Sequence, residues 1–597
     1  MNHSIIKKTY TICVCLLLVI NSACKKEKSN HQRLKTNPIS NLEVYYKGNL
    51  KKSYLYLDSM QSTESIHQNK KFYLSARKYF KLSEPILSYQ DKENYKTLNS
   101  PNLLRIQEED ATDIKVRNPI GFQVIEEKLF SDLPNDKQIF STSKQTSDRL
   151  KFIYNNTHIK LQEHNLLWIL RDAILRIATT GLSNFDSPAL GQSLTESSFV
   201  YNSISQIIRL YNDRFEDIEI YDDWLYEIQK SQNALNSDFD NFDRFSFIQN
   251  HTNKQLELWN KTAKDWRVNF PFSLATQNEF NSLFSKEVFN INYFSDHNSD
   301  TIYLAAKIEL GKKLFNDKKL SAKNSMSCAT CHIKEKGFTD RRKTFDRNQI
   351  RNTPTITYAG LQKAFFYDNR AGSLEGQIVG VVTNHHEFDS NLETLENIVS
   401  TNLYYKATFD SLYTKSATDQ NIRHAIASYI RTLNKFNSKF DQNINKTENN
   451  LTASEKKGFN LFMGKAACAT CHFPPLFNGT VPPNFNESEL EIIGVPRTNK
   501  NQKLDTDLGR YTIFYTDERK GAFKTPTVRN ISLTAPYMHN GIYNNLEEVL
   551  DFYNQGGGKG LGFDVPHQTL PFESLNLSEN EIKDIIAFLK TLTDIPT

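Results

Sequence analysis

Two pentapeptides of identical sequence carry the chemistry that is most readily recognised in this chain. Residues 328–332 and residues 468–472 both read Cys-Ala-Thr-Cys-His. Cys-x-x-Cys-His is the attachment pattern of c-type haem, in which both thiols bond to one porphyrin. The histidine that follows then binds the iron as its proximal ligand. The predicted haem-binding residues are Cys328, Cys331, His332, Cys468, Cys471 and His472.

A Cys-x-x-Cys pair also occurs in zinc sites and in redox dithiols, which are the two alternatives to haem attachment. A structural zinc site needs four converging ligands, usually as two closely spaced pairs. A thioredoxin-like dithiol needs a βαβ context, which the surrounding sequence does not indicate. The chain has seven cysteines, and the three outside the pentapeptides, Cys13, Cys15 and Cys24, all lie near the N-terminus. The pattern therefore favours two covalently attached haem c groups.

The N-terminus has the pattern of a targeting segment. Two lysines precede a short apolar run over residues 12–20, which is too short to span a bilayer and is typical of a signal-peptide core. Residues 22–24, Ser-Ala-Cys, resemble the lipobox of bacterial lipoproteins. Residues 1–23 are thus predicted to be a signal peptide, Cys24 a lipid anchor and residues 25–40 a polar tether, with plain secretion as the alternative. Either outcome places the protein outside the cytoplasm, and the predicted location is the periplasmic side of a bacterial membrane.

The segment 41–290 is predicted to be a helical domain whose role the sequence does not reveal. Between Ile204 and Tyr211, apolar residues recur at positions i, i+3, i+4 and i+7, which is the spacing of one helix face. A similar stripe starts at Leu167. The segment contains no haem-attachment pattern, so its aromatic residues are interpreted as a helical core.

The C-terminal half is predicted to form two haem lobes. A polar stretch near residue 296 opens the first lobe, 296–440, and an Asn-rich stretch precedes the second lobe, 450–597. The last helix starts with a capping box of Ser578 and Glu581. The predicted fold class is therefore mostly α: an N-terminal helical domain followed by two cytochrome c-like haem lobes with long loops.

The charge of the chain argues against a nucleic-acid partner. The formal net charge is +5 over 597 residues. A nucleic-acid-binding domain usually carries a strongly basic patch or stripe. Partners are therefore sought among small molecules and redox proteins.

Five further blocks accompany the pentapeptides in the C-terminal half. They are residues 337–340 (Gly-Phe-Thr-Asp), 351–354 (Arg-Asn-Thr-Pro), 367–375 (Tyr-Asp-Asn-Arg-Ala-Gly-Ser-Leu-Glu), 523–530 (Phe-Lys-Thr-Pro-Thr-Val-Arg-Asn) and 534–541 (Thr-Ala-Pro-Tyr-Met-His-Asn-Gly). With these blocks, residues from about 300 to 597 resemble the bacterial dihaem cytochrome c peroxidase and MauG family. The N-terminal half lies outside this resemblance.

The resemblance implies that peroxide binds at the first haem. In the family a glutamine and a glutamate ten residues later lie over this haem, and Gln377 and Glu387 keep that spacing. O–O cleavage needs a base that takes a proton from one oxygen and returns it to the other, which a carboxylate can do. The alternatives are that Glu387 is a surface acid, or that His385 or His386 serves as base or ligand. Classical peroxidases of the family have a histidine between the first haem motif and the Arg-Asn-Thr-Pro block that caps this iron. No histidine occurs here between residues 333 and 384, so the resemblance implies an iron that is five-coordinate or water-ligated.

At the second haem, the resemblance implies a distal ligand fourteen residues after the histidine of the Tyr-Met-His block. Counting from His539 gives Tyr553. Peroxidases of the family have methionine there, whereas MauG-type members have tyrosine. A phenolate stabilises ferric and higher iron, whereas a thioether favours ferrous iron. The alternatives are a core aromatic residue at 553, or ligation by Met538 or Met463.

Two more positions take their predicted roles from the resemblance. Tyr367 stands where the family usually has a tryptophan between the haems, which keeps an aromatic group available for electron transfer. The Asn352 side chain and the backbone carbonyls of Thr534 and Pro536 match the inter-haem calcium site of the family. These are hard oxygen donors of the kind that Ca²⁺ prefers.

The sequence therefore predicts an oxidoreductase that reduces hydrogen peroxide at the first haem with electrons relayed through the second. The expected electron donor is a small cytochrome c, a cupredoxin or a quinol-linked donor. One alternative is a MauG-like oxidase that acts on a protein or a small organic substrate. The other is a non-catalytic dihaem electron carrier, in which both irons would be six-coordinate.

Overall fold

Helices dominate the structure, a computed structural model that describes residues 38–108, 110, 112–296, 301–345 and 349–595. This confirms the predicted mostly helical fold class. The predicted signal peptide, Cys24 and all of the predicted tether except residues 38–40 lie outside the described residues. Within the described part of the chain, no helix has both the length and the apolar character that a membrane span requires.

The N-terminal half is built from amphipathic helices and one small hairpin. Its helices are α1 (Pro38–Ser59), α2 (Ile66–Gln90), α3 (Lys92–Asn99), α4 (Phe122–Leu129), α5 (Asp136–Asn156), α6 (Glu163–Arg176), α7 (Ser193–Leu210), α8 (Ile218–Leu235), α9 (Arg244–Phe247) and α10 (Asn253–Asp265), with π-helical turns at Ile177–Gly181 and Ile248–Thr252. Strands β1 (Arg105–Glu108) and β2 (Ile114–Arg117) pair antiparallel. The stripe predicted from Ile204 lies along α7 and is buried.

The C-terminal half has shorter helices joined by long loops. Its helices are α11 (Leu304–Asn316), α12 (Cys328–Cys331), α13 (Leu374–Thr383), α14 (Leu392–Thr401), α15 (Leu403–Leu412), α16 (Asp419–Ile430), α17 (Lys439–Ile444), α18 (Ala453–Met463), α19 (Tyr511–Phe514), α20 (Leu546–Asn554), α21 (Gly557–Gly560) and α22 (Glu579–Thr591). Strands β3 (Leu490–Ile492) and β4 (Ala522–Lys524) pair antiparallel. The capping box predicted at Ser578 is present at the start of α22.

One continuous hydrophobic core joins the N-terminal helices to the second lobe. At its centre five aromatic rings pack with tilted and edge-to-face contacts at centroid separations of 4.9–6.1 Å; they belong to Phe284, Phe440, Phe459, Phe477 and Phe588. Such aromatic pairs add to the stabilisation from area burial alone. The first lobe has a separate core around Leu314 and Ile426. The N-terminal half is therefore packed against the lobe that is more distant in sequence.

Candidate active site

The two histidines of the pentapeptides are held in the same way. The Nδ1 atom of His332 lies 3.0 Å from the carbonyl oxygen of Phe338, and Nδ1 of His472 lies 3.1 Å from the carbonyl of Pro526. Since a carbonyl can only accept, Nδ1 must carry the proton in each ring, which leaves the Nε2 lone pair free for a metal. Gly337, at φ +69°, makes the turn that brings the Phe338 carbonyl back to His332.

Both pentapeptides line one cavity of about 1860 Å³. This volume exceeds the roughly 300–1,000 Å³ of a site for one drug-sized ligand. Cys328, Cys331, Cys468 and Cys471 form no disulfide, and burial raises the pKa of the Cys328 and Cys468 thiols to about 12. In the described part of the chain, no three His, Cys, Asp or Glu residues cluster as a metal site. Neutral thiols and two oriented histidines around a large cavity fit two covalently attached haems.

On the first pentapeptide's side of the cavity, the lining includes Gln377 and Glu387. Helix α13, capped by Ser373, carries Gln377. The turn that follows places the Asn384 amide 2.8 Å from a carboxylate oxygen of Glu387. Burial raises the pKa of Glu387 above its ordinary value of 4.5, and the charge of Glu387 in turn raises the pKa of Cys328. The carboxyl group is therefore near the attachment thiols and largely shielded from water.

The two histidines that precede Glu387 in sequence do not share its position at the cavity. His385 and His386 are exposed. The imidazole of His385 pairs with Asp389 at 2.7 Å on the protein surface. Neither side chain lines the cavity, so the geometry favours Glu387 over these two residues as the base.

On the second pentapeptide's side, the Tyr553 side chain from α20 lines the cavity. Burial is the main cause of its raised pKa, and electrostatic coupling to the Cys471 and Cys468 sulfurs raises it further, which places the phenol close to both attachment thiols. Met538 also lines the cavity, whereas Met463 is fully buried in the hydrophobic core. Of the three candidate ligands, Tyr553 and Met538 thus remain within reach of a group bound in the cavity.

Tyr367 and Asn352 meet between the two sides. The Tyr367 hydroxyl donates to the amide oxygen of Asn352, and the Asn352 amide nitrogen donates to the Pro536 carbonyl at 2.9 Å. Thr534 also lines the cavity. In this arrangement Asn352 offers Pro536 a donor, so the set does not present three converging oxygens. Calcium at this place stays a prediction.

Residues of the N-terminal half also line the cavity, which the sequence did not predict. The Phe185 ring packs edge-on against Phe473, the residue after His472, at 5.7 Å between centroids. Residues 105–107 of β1 line the cavity, and Glu108 at the end of this strand pairs with Arg510 at 3.0 Å. These contacts join positions hundreds of residues apart, and no local pattern marks them.

Arg244 connects the N-terminal half to the segment that leads into the second pentapeptide. Its buried guanidinium donates to the carbonyls of Leu182, Phe242 and Phe239 at 2.7–3.1 Å. It lies so close to Gly464 that an added Cβ there would stand 2.7 Å from the guanidinium carbon. Arg244 therefore fixes a π-helical turn and residue 464 relative to each other.

Replacing Arg244 by methionine is expected to lower the free energy of unfolding by about 3 kcal/mol, because three buried carbonyls lose a charged donor. Denaturant unfolding of the purified protein measures this change. The matched control is Arg209→Met on the exposed face of α7, which should leave the transition midpoint unchanged. Equal midpoints for the Arg244 variant and the wild type would contradict the assigned role.

A mostly helical chain that directs two Cys-x-x-Cys-His segments into one cavity defines a dihaem protein of the c type. Comparison with known sequences identifies the family. The family described as di-haem cytochrome c peroxidase matches residues 305–449. Cytochrome-c peroxidase IdrP2 of Denitromonas iodatirespirans is 31% identical over 312 residues, which cover 49% of this chain and 83% of that protein.

A second relative supports the same family, and one solved structure is similar over the same share of the chain. Methylamine utilization protein MauG of Methylorubrum extorquens is 34% identical over 299 residues, covering 49% of this chain and 79% of that protein. The crystal structure of a MauG-like protein associated with microbial copper homeostasis is 28% identical, covers 48% of this chain and 89% of that chain, and superposes with a TM-score of 0.42.

The chain belongs to the dihaem cytochrome c peroxidase and MauG family. Membership confirms the family resemblance and the predicted peroxidase-type oxidoreductase class, and it implies two c-type haems. The matches cover the C-terminal half.

Proposed function

We propose that the protein reduces hydrogen peroxide on the His332 side of the cavity, with electrons arriving through the His472 side. The observation that carries this proposal is the position of Glu387. Its carboxyl group is half-buried, is held by Asn384, and lines the same cavity as Gln377 and His332. A haem held there by His332 would supply an iron that can bind peroxide and the electrons for O–O cleavage.

Proton transfer in this reaction falls to Glu387. The carboxylate takes the proton from one peroxide oxygen and returns it to the other oxygen as that oxygen leaves as water. Two electrons and two further protons complete the conversion of one peroxide into two waters. The Gln377 amide orients the bound oxygen by hydrogen bonding. Burial supports this role, because it raises the pKa of the carboxyl group toward the working pH. A group with such a pKa can both take up and release a proton.

The proposed function also implies an electron donor and a cellular location. Electrons come from a small cytochrome c, a cupredoxin or a quinol-linked donor. The protein works on the periplasmic side of a bacterial membrane, where c-type haem is attached, and a lipid on Cys24 anchors it. Family membership supports a cytochrome donor and a periplasmic site in general terms.

A MauG-like oxidase is the second candidate function. Tyr553 supports it, because a phenolate in the cavity stabilises oxidised iron and so favours the storage of oxidising equivalents. The substrate would then be a protein or a small organic molecule. Consumption of peroxide with reduced cytochrome c as the sole electron source favours the peroxidase over the oxidase.

A spectrum of the oxidised protein before and after one equivalent of peroxide tests the proposed function. A high-spin signal from one iron is expected before addition, because no histidine lies between residues 333 and 384, and this signal should change on addition. Two low-spin, six-coordinate irons that do not respond to peroxide would instead identify an electron carrier and overturn the proposal.

The pH profile of peroxide reduction is expected to have an acid limb set by Glu387. Burial raises the pKa of this carboxyl above 4.5, and the base must be ionised to accept a proton. Activity is therefore retained above the raised pKa and lost as the pH falls through it. The pH dependence of kcat/KM reports this ionisation in the free enzyme. A profile that stays flat down to pH 4.5, the ordinary carboxyl value, would contradict the assignment.

A further inference from the structure

The tyrosines around the cavity differ in what their hydroxyl groups can do with a proton. Among the described residues, those that line the cavity are Tyr358, Tyr367, Tyr537 and Tyr553. Tyr367 donates to a side-chain amide oxygen and Tyr537 to a backbone carbonyl, and neither acceptor can hold a proton near neutral pH. Tyr358 donates to a carboxylate oxygen of Asp594 at 2.8 Å. Tyr358 is thus hydrogen-bonded to a true base.

The surroundings hold this pair in place and away from water. The Tyr358 side chain is 1% exposed, and its oxygen also accepts a hydrogen bond from the backbone N–H of Phe436 at 3.0 Å. The other oxygen of Asp594 accepts from the Asn530 amide at 2.9 Å. Burial raises the pKa of Asp594, so its carboxylate is a stronger base than an exposed one. A proton that moves from Tyr358 to Asp594 therefore stays within the pair.

The positive charge of Arg529 lies close to the Tyr358 ring and affects its oxidation. Its guanidinium lies 4.8 Å from the centre of the Tyr358 ring and pairs with the buried Asp441 at 2.9 Å. A fixed positive charge at this distance disfavours a cationic ring in a medium of low dielectric constant. Loss of an electron from Tyr358 is therefore tied to loss of its phenolic proton, and Asp594 is placed to receive that proton.

We propose that Tyr358 is a redox-active residue that supplies one electron to peroxide reduction and transfers its proton to Asp594. The O–H bond of the phenol breaks, Asp594 becomes a neutral carboxylic acid, and Tyr358 becomes a neutral radical. Hydrogen peroxide is the oxidant: it takes this electron, a second electron from the haem groups and two protons from solvent, and yields two waters. When a donor electron returns, the same proton moves back and Tyr358 is restored. This inference rests on the proposed function and adds to it a protein residue that stores one oxidising equivalent.

Rapid freezing after addition of one equivalent of hydrogen peroxide, followed by electron paramagnetic resonance, tests the proposal. The wild-type protein is expected to give a narrow organic radical signal whose splitting collapses when its tyrosines carry ring deuterium. The variant Tyr358→Phe should lose this signal, and Asp594→Asn should shorten its lifetime. The matched control Tyr537→Phe, which removes a cavity hydroxyl bonded to a carbonyl, should keep it.

Absorption spectra of the same samples distinguish a failure of the Tyr358 proposal from a failure of the proposed peroxide reduction. A change in the haem bands without a tyrosyl signal in the wild type, or with an equal signal in Tyr358→Phe, overturns the role of Tyr358 and leaves peroxide reduction standing. Haem bands that do not respond to peroxide overturn both. Haem bands of Tyr358→Phe that match the wild type before peroxide show that loss of its signal is not due to misfolding.

Discussion

The variant Glu387→Gln is expected to lose about 10²–10⁴-fold in kcat/KM for peroxide, which is the usual contribution of a positioned general base. Glutamine has nearly the same shape, and its amide oxygen can still accept the hydrogen bond that Asn384 donates at 2.8 Å. What it cannot do is accept a proton. The loss should therefore appear in turnover, whereas the haem content and the spectrum of the oxidised protein stay as in the wild type.

The control for this variant is Glu393→Gln, the same substitution at an exposed position in the first turn of α14. It should reduce peroxide at the wild-type rate. The acid limb of the pH profile should be present in this control and absent from the residual activity of Glu387→Gln. If Glu387→Gln kept full turnover, the base would have to be another group. The expected large loss of peroxide turnover in this variant excludes the non-catalytic electron carrier.

The features that the sequence predicted depend on short-range geometry. The Cys-x-x-Cys-His segments fix the relation of two thiols and one imidazole within five residues, and the structure accordingly directs both segments into one cavity. Gln377 and Glu387 are likewise joined by one helix and one turn, so their spacing sets their separation. Helical stripes predicted the class of fold for the same reason, because their period is a local property.

The features that the sequence did not predict depend on contacts between distant segments. The packing of Arg244 against Gly464 and the pair of Tyr358 with Asp594 each join positions more than two hundred residues apart. A buried arginine is indistinguishable from an exposed one in a single sequence, since its partners are backbone carbonyls. The orientation of the Asn352 amide is equally undetermined, although it decides whether an oxygen or a nitrogen faces Pro536.

Tyr553→Met is expected to raise the reduction potential of the second haem by a sizeable part of the roughly 0.8 V range that axial ligands span. Burial and the nearby thiols raise the pKa of this phenol, so without a metal it keeps its proton. The phenol can therefore bind as a phenolate only if the positive charge of the iron displaces its proton. A thioether carries no charge and favours ferrous iron, so the exchange stabilises the reduced state. Potentiometric titration followed by absorption spectroscopy measures the shift.

Tyr543→Phe is the matched control, because Tyr543 packs in the same apolar cluster and bonds through its hydroxyl to Asn501 at 2.8 Å. Loss of the Tyr543 hydroxyl should leave the reduction potentials of both haems unchanged. An unchanged potential in Tyr553→Met would mean that the phenol does not bind the iron, and the thioether of Met538, which also lines the cavity, would become the ligand to test with Met538→Leu. A raised potential would also lower the tendency of this haem to hold oxidised iron. The Tyr553 variant therefore distinguishes a protein that stores oxidising equivalents from one that only passes electrons on to peroxide.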